Sequence, residues 1–512
     1  MQSQLLWIIA AGLGALIGHA NPWLQFPPAV LLLPASLAML GMGAGGAKAA
    51  FKRAWQAGVL ASLACLYWVY WPVNHFGGVH WLLALPVPIL LAMAMAVYHG
   101  LFGLLAHQCV RRLAPLAALF CLSVGWLILE MATGSLLSGF PWLTLAGAFT
   151  PWPIVIQPAA YIGSYGLSAL IALSAVGLAL APRSRACVGA ALAAILLILG
   201  AGRLHMAAYA ENTPGHTVAV VQGNIDQSLK WDPAYQQATV DKYLGLSRQV
   251  LAQSRPELII WPETAMPFYY QDHGLLSERL ETFVATAKVP LLFGAPAYGR
   301  EKNGDLVLHN RAYLLPPDGV TAYYDKEHLV PFGEYVPLGN ILTFVHKMVS
   351  GVGDFRPGRQ EKPLQDGKLA LGVLICYEAI FPELAQQRVQ AGANLLINIS
   401  NDAWFGDSAA PRQHLDLALL RAVEQGRAII RGTNTGISAA IDPRGRIMAQ
   451  GGLFTTLTLP CPETPLVSET TWFHRHYTLV TWGIPVCFAL LLLWSLFAPG
   501  RPDTSRPAGK TL

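Results

Sequence analysis

Seven long apolar runs, at about 5–20, 28–46, 55–73, 81–106, 114–130, 155–181 and 187–202, fill the first part of the chain, and an eighth lies at about 478–498. Each approaches the roughly 20 residues an α-helix needs to cross bilayer hydrocarbon. The pattern therefore predicts eight spans. Between the seventh and the eighth the rhythm changes to short β-rich runs: Val218 to Gln222, Leu258 to Trp261, Pro290 to Phe293, Leu369 to Ile375 and Leu395 to Ile399. These read as buried strands, whereas 235–253, 275–287 and 412–429 carry helical spacing. Strands alternating with helices imply a layered α/β domain of about 250 residues, large enough for a full core. The expected organisation is a seven-span domain over 1–203, an extramembrane domain over 204–476, and an eighth span with its tail over 477–512.

Composition supports that division. Of 512 residues 54% are hydrophobic and only 12% charged, against roughly 25% charged in a soluble domain. Before Glu211 the only charges are Lys48, Lys52, Arg53, Arg111, Arg112, Glu130, Arg183, Arg185 and Arg203. The first run lacks a basic n-region and an A-x-A site, so it is expected to remain as a span. Basic residues fall in alternate loops, at Lys48/Lys52/Arg53, Arg111/Arg112 and Arg183/Arg185, and then in the tail at Arg501/Arg506/Lys510. The positive-inside rule then puts both termini in the cytoplasm and 204–476 outside it, in the periplasm if the cell is Gram-negative. The net charge of +5 follows from this topology and gives no reason to invoke nucleic acid.

Five of the seven cysteines lie in apolar segments, where cysteine is ordinarily a small hydrophobe. Cys376 and Cys461 are extramembrane, and Cys461, after a proline in a loop-like connector, is not expected to pair with Cys376. Cys376 ends an apolar strand and is followed by Tyr377 and Glu378. Glu263, in Trp261-Pro262-Glu263, and Lys326, in Tyr324-Asp325-Lys326-Glu327-His328, stand at two other strand ends. A single Glu or Lys in such a place is ordinarily a solvated loop residue, and a lone Cys is ordinarily core. Together they could serve acyl transfer, with glutamate as base, lysine as cation and cysteine as nucleophile. The sequence contains no Gly-rich phosphate loop and no metal-ligand cluster, so neither cofactor nor metal is expected.

These residues resemble the Glu-Lys-Cys sites of the nitrilase, or carbon–nitrogen hydrolase, superfamily, and most closely its membrane-embedded branch, the apolipoprotein N-acyltransferases. The resemblance rests on Trp261-Pro262-Glu263, on Lys326 to Glu334, on Cys376-Tyr377-Glu378, and on the stretches 221–224, 229–232, 400–406 and 431–438. In the membrane part, 139–142 and 165–168 are similar to family signatures. One departure is Thr133, where family members often carry an arginine three residues after the glutamate matching Glu130.

The resemblance implies a nitrilase-like αββα sandwich in the bacterial inner membrane. It also implies a ping-pong acyl transfer from a membrane phospholipid, through a Cys376 thioester, to the α-amine of a diacylated apolipoprotein. Glu263 would be the base and Lys326 the oxyanion partner. Glu334 and Glu378 are supporting candidates for holding Lys326 and orienting the amine. Tyr377, Trp231 and Trp404 are candidates for lining the acyl cavity, with Asn401 a further substrate-binding candidate. The apolar stretch 336–345 reads equally as a lid on the bilayer or as a segment buried in the domain. Glu130, near the outer end of its span, reads as interfacial or as a contact to the polar domain or a headgroup. A monomer is expected. Two other readings share parts of the pattern: a membrane-tethered amidase, and an inactive lipid-binding scaffold or transporter.

Overall fold

A computed structural model describes residues 2–208, 215–301, 304–318, 320–336, 355–359 and 362–497. The stretch 337–354, which holds most of the apolar segment 336–345, and the basic tail lie outside the described residues.

The middle of the chain forms two six-stranded sheets. The first contains β1 (Gly215–Gln222), β2 (Leu258–Ile260), β3 (Leu291–Arg300), β4 (Leu306–Leu315), β5 (Ala322–Asp325) and β12 (Leu457–Pro465), in the order β12-β1-β2-β3-β4-β5. The second contains β6 (Leu364–Asp366), β7 (Leu369–Ile375), β8 (Leu395–Ser400), β9 (Ile429–Thr433), β10 (Ala439–Ile441) and β11 (Ile447–Gln450), in the order β11-β10-β9-β8-β7-β6. Each sheet has three parallel strands, β1-β2-β3 and β7-β8-β9, flanked by antiparallel ones.

Alternation along the strands decides how the layers stack. Val218, Val220, Ile260 and Leu292 of the first sheet meet Leu371, Val373, Ile375, Leu395, Ile397 and Ile399 of the second in one core. The other face of the first sheet, with Ala219, Val221, Ile259 and Phe293, is covered by helices Pro233–Gln253 and Leu275–Ala287. The other face of the second sheet is covered by helices Pro382–Gln390 and Ala410–Gln425. The result is the αββα sandwich.

The outer helix layer of the second sheet is continuous with the membrane part. Leu374, Leu396 and Ile441 belong to one buried cluster with Ala11, Leu37, Phe102, Trp142 and Leu173. Polar pins cross this junction: the Gln413 amide accepts from the Trp68 and Trp142 indoles at 3.1 and 2.8 Å and donates to the carbonyls of Ala20 and Cys65 at 3.0 and 3.3 Å. Buried groups of this kind persist because they are satisfied. Among the described residues four helices are long and apolar enough to cross a membrane: Trp81–Arg112, Pro115–Ser138, Ala159–Ala179 and Arg185–Ala207. Shorter apolar helices occupy Ser3–Gly18, Pro27–Met42 and Leu479–Leu490.

Three expectations need correction. The helix expected over 412–429 ends at Gln425, because Gly426 turns left-handed (φ 63°) and caps it, leaving Ile429 to start β9. Cys461 is not in a loop-like connector but on β12, buried in the core between the sheets. Glu130 is not interfacial: it is buried, accepts from the Trp126 indole at 2.7 Å and the Leu145 amide at 2.9 Å, and its neighbour Thr133 bonds the Glu130 carbonyl at 2.7 Å.

Candidate functional site

Glu263, Lys326 and Cys376 come from three strand ends. Pro262 stops β2, and Trp261 before it is anchored in the helix-covered core, its indole donating to Ser247 at 2.9 Å. Beyond Glu263 the chain turns through Thr264 at φ 48°, pressed against β3 where Gly294 leaves room: a Cβ there would lie 2.7 Å from the Glu263 Cα. Lys326 follows β5, its amide bonded to the Asn310 carbonyl at 2.9 Å. Cys376 follows β7 at φ 52°, a left-handed conformation that costs a residue with a side chain about 1–3 kcal/mol. The bend is held by its own carbonyl, which accepts from His414 Nε2 at 3.0 Å and Asn398 Nδ2 at 3.3 Å.

The side chains converge in a dry site, with Glu263 6%, Lys326 1% and Cys376 8% exposed. The Lys326 ammonium lies 2.9 Å from Glu334 and 3.7 Å from Glu263 Oε1. Asn310 Nδ2 bridges the two carboxylates, donating to Glu263 Oε1 at 2.7 Å and Glu334 Oε1 at 2.9 Å. The second oxygen of Glu263 accepts the Asn401 amide at 2.9 Å. Burial opposes the charge on Lys326, but Glu334 and then Glu263 outweigh it and hold the ammonium above its ordinary pKa. Burial, with Glu263 adding to it, pushes the Cys376 thiol up despite the opposing pull of Lys326. The arrangement thus pairs a protonated thiol with a carboxylate and a permanent cation.

Glu378 does not reach Lys326. It is fully buried and accepts from the Tyr324 hydroxyl at 2.8 Å and from the amides of Ile375, Glu327 and His328 at 2.6, 2.7 and 3.0 Å. It therefore ties the segment after Lys326 to the strand end before Cys376. Burial raises its pKa, with Arg388 and these amides pulling the other way. Tyr377 points to the membrane part: its hydroxyl donates to the Gly139 carbonyl at 2.8 Å, and its ring stacks with Phe140 and Trp142. Asn401 is a network residue, its side chain donating to Gln227 at 2.7 Å and accepting from Asn434 at 3.2 Å. Trp404 packs edge-on against Phe76 of the membrane part. Trp231 is partly exposed and lines a surface groove with Phe268, Tyr269 and Leu308.

Asn310 and His414 were not singled out from the sequence, whereas Lys230, Asp402 and Arg431 lay within motif stretches but without a role of their own. Asn310 shares a strand face with Ala312 and Leu314, which point into the core between the sheets, so a polar residue on an apolar face was the available signal. Lys230 is buried, reaches the Glu263 carbonyl at 3.4 Å, and is lowered to about 8 by burial against the opposing pull of Glu263. Behind Cys376, Asp402 binds Arg431 at 2.7 Å and accepts from Ser400 at 2.7 Å. Burial and Arg431 keep His414 below the ordinary imidazole pKa. Its Nε2 faces the Cys376 carbonyl at 3.0 Å, and its Nδ1 lies between Arg431 Nη2 at 3.1 Å and Asp402 Oδ1 at 3.2 Å.

Comparison with known proteins places this geometry. Residues 217–460 match the carbon-nitrogen hydrolase family and residues 13–177 the apolipoprotein N-acyltransferase N-terminal domain. The chain is 37% identical to an apolipoprotein N-acyltransferase of Geobacter metallireducens, covering 93% of this chain and 92% of that one. It is 34% identical to the enzyme of that name from Pseudomonas putida, covering 96% of each. Among solved structures, Saccharomyces cerevisiae Nit3 of the nitrilase superfamily is similar with a TM-score of 0.38 and 20% identity, over 51% of this chain and 94% of that one. On the strength of its near full-length relatives, the chain belongs to the apolipoprotein N-acyltransferases.

Proposed function

We propose that this protein transfers a fatty acyl chain from a membrane phospholipid to the N-terminal amine of a diacylated apolipoprotein, with Cys376 as acyl carrier, Glu263 as base and Lys326 as oxyanion partner. Because the resting thiol is protonated, Glu263 takes its proton as sulfur attacks the donor ester carbonyl. The S–C bond forms and the tetrahedral oxyanion faces Lys326. A well-placed donor in a dry site is worth roughly 3–4 kcal/mol at this stage. The C–O bond then breaks, and the proton passes from Glu263 to the departing alkoxide, which leaves as lysophospholipid. In the second half the acceptor amine attacks the thioester, the N–C bond forms as the S–C bond breaks, and the amine proton returns through Glu263 to the thiolate. Glu334 keeps Lys326 charged and placed, while Glu378 fixes the segments on either side.

The observation that carries this reading is the Tyr377–Gly139 hydrogen bond. The residue next to the nucleophile is fastened to the membrane part, which supports a lipid as the source of the acyl chain. In the reading's finer form the chain has eight spans, cytoplasmic termini and a periplasmic domain over 204–476, and acts as a monomer. The apolar runs and alternating basic loops support that topology.

Incubation with radiolabelled phospholipid and a diacylated lipopeptide tests the assignment. Triacylated peptide should form, and label on the enzyme alone should be released by hydroxylamine, which cleaves thioesters and leaves amides. Label appearing only as free fatty acid would make the protein a hydrolase. Turnover by Cys376→Ala would overturn the carrier role.

A further inference from the structure

A second groove, of about 950 Å³, lies where the sandwich meets the foot of the last apolar helix. One wall is the helix Pro382–Gln390, another is the turn at Gly358 and Arg359, and the third is the segment from His474 to Leu479. None of the catalytic set described above lines it.

Its charges are unevenly matched. Arg388 at the base is paired with Glu327 at 2.7 Å. Arg359 and Arg475 line the groove and are exposed, and neither forms an ion pair with the described residues. The remaining carboxylate, Glu383, is half-buried on the same wall, and burial raises its pKa above the ordinary value. Gln386 supplies an independent sign of a ligand. It is only 7% exposed, its amide nitrogen donates to the His474 carbonyl at 3.2 Å, and its oxygen has no hydrogen-bond partner. The bond to His474 fixes which end is oxygen, so the orphan is an acceptor. A ligand fitting both features carries an anion for the arginines and a hydroxyl or ammonium for Gln386.

The surroundings indicate where such a ligand comes from. Leu479, in the groove wall, is 54% exposed; Trp472 and Trp482, which flank the lining segment in sequence, are 37% and 53% exposed, and the ring of the lining residue His476 stacks on Trp472 at 4.2 Å. Exposed tryptophans at the foot of an apolar helix mark the headgroup level of a bilayer. We propose that this groove binds the headgroup of a membrane phospholipid, with Arg359 and Arg475 on the phosphodiester and Gln386 accepting from the headgroup's hydroxyl or ammonium. The inference rests on the chain being membrane-embedded and is independent of the roles given to Cys376, Glu263 and Lys326.

Retention of lipid, rather than turnover, tests it. The full chain carrying Cys376→Ala, which forms no thioester, is loaded with tritiated phosphatidylglycerol, exchanged into detergent and counted. Reversing both arginines (R359E with R475E) should lower retention by at least about tenfold, since each basic residue near a headgroup contributes on the order of 1 kcal/mol. The R359K/R475K pair should stay close to the parent, which separates loss of charge from misfolding. Equal retention by the charge-reversed pair, or equal retention of diacylglycerol in place of phosphatidylglycerol, would overturn the proposal. Displacement by millimolar inorganic phosphate at constant ionic strength would make this a general phosphate site and would overturn the lipid assignment. In the Cys376-intact enzyme, a raised KM at constant kcat for the charge-reversed pair would show that the bound lipid is the acyl donor; retention lost without a change in KM would show a lipid that is held and not consumed.

Discussion

Glu334 lies 2.9 Å from the Lys326 ammonium, closer than Glu263 does at 3.7 Å. The nearer carboxylate is thus the lysine's main counter-charge, and the farther one is tied less tightly to the cation. Replacing Glu334 with Gln should lower kcat by roughly 10- to 100-fold, the equivalent of one charged hydrogen bond in a dry site. It should also move the alkaline limb of the pH profile to lower pH, because the ammonium loses the interaction that holds its pKa up. Glutamine preserves the shape, so an unchanged profile would remove Glu334 from the mechanism.

Asp402 makes a separable contribution to stability. Burial works against its charge, but Arg431, His414 and Ser400 outweigh it and hold the carboxyl well below its ordinary value of 3.8. With a depressed folded pKa, its stabilisation is fully present above the ordinary value and is withdrawn as the pH falls from there toward the folded value. Asp402→Asn should lower Tm at neutral pH and flatten its dependence on pH below about 4. Thermal unfolding of both proteins from pH 7 to 3 measures this.

Much of this architecture could be read from the chain. β7 spans the expected run Leu369–Ile375, and the helix Leu275–Ala287 follows its spacing to the residue, because short buried strands and amphipathic helices carry their periodicity locally. Asn310 and His414 were hidden for the opposite reason. Their importance comes from partners 47 and 38 positions away, which no local pattern encodes. Glu378 shows a third case. Its place beside Cys376 was visible, but its four bonds are to an amide three residues back and to groups 50 to 54 positions earlier, so what it holds could be seen only in the fold.

Gln413 offers a test of the junction between sandwich and membrane helices. Its amide makes four hydrogen bonds, two from indoles and two to backbone carbonyls. Gln413→Leu keeps the volume and removes all four, at about 1–3 kcal/mol for each group left unsatisfied. The variant should lose roughly 3 kcal/mol or more and become sensitive to proteolysis between the sandwich and the membrane helices. Protease resistance equal to wild type would mean that apolar packing alone joins the two.

Lys230 is the last case, and its sign is opposite to that of Asp402. Its folded pKa of about 8 lies below its ordinary 10.5, with burial as the larger cause and Glu263 opposing it. Between those two values the unfolded chain binds the extra proton, so stability should rise with pH across that window. Below the folded value the charge is buried at a cost, against which its ammonium makes, among the described residues, one long hydrogen bond, to the Glu263 carbonyl. Lys230→Met should therefore be no less stable than wild type at pH 7 and should lose the rise in Tm between pH 8 and 10. Because the same ammonium braces the turn that carries Glu263, kcat should nevertheless fall in this variant, and a variant that is stabilised and fully active would mean that Lys230 plays no part in placing the base.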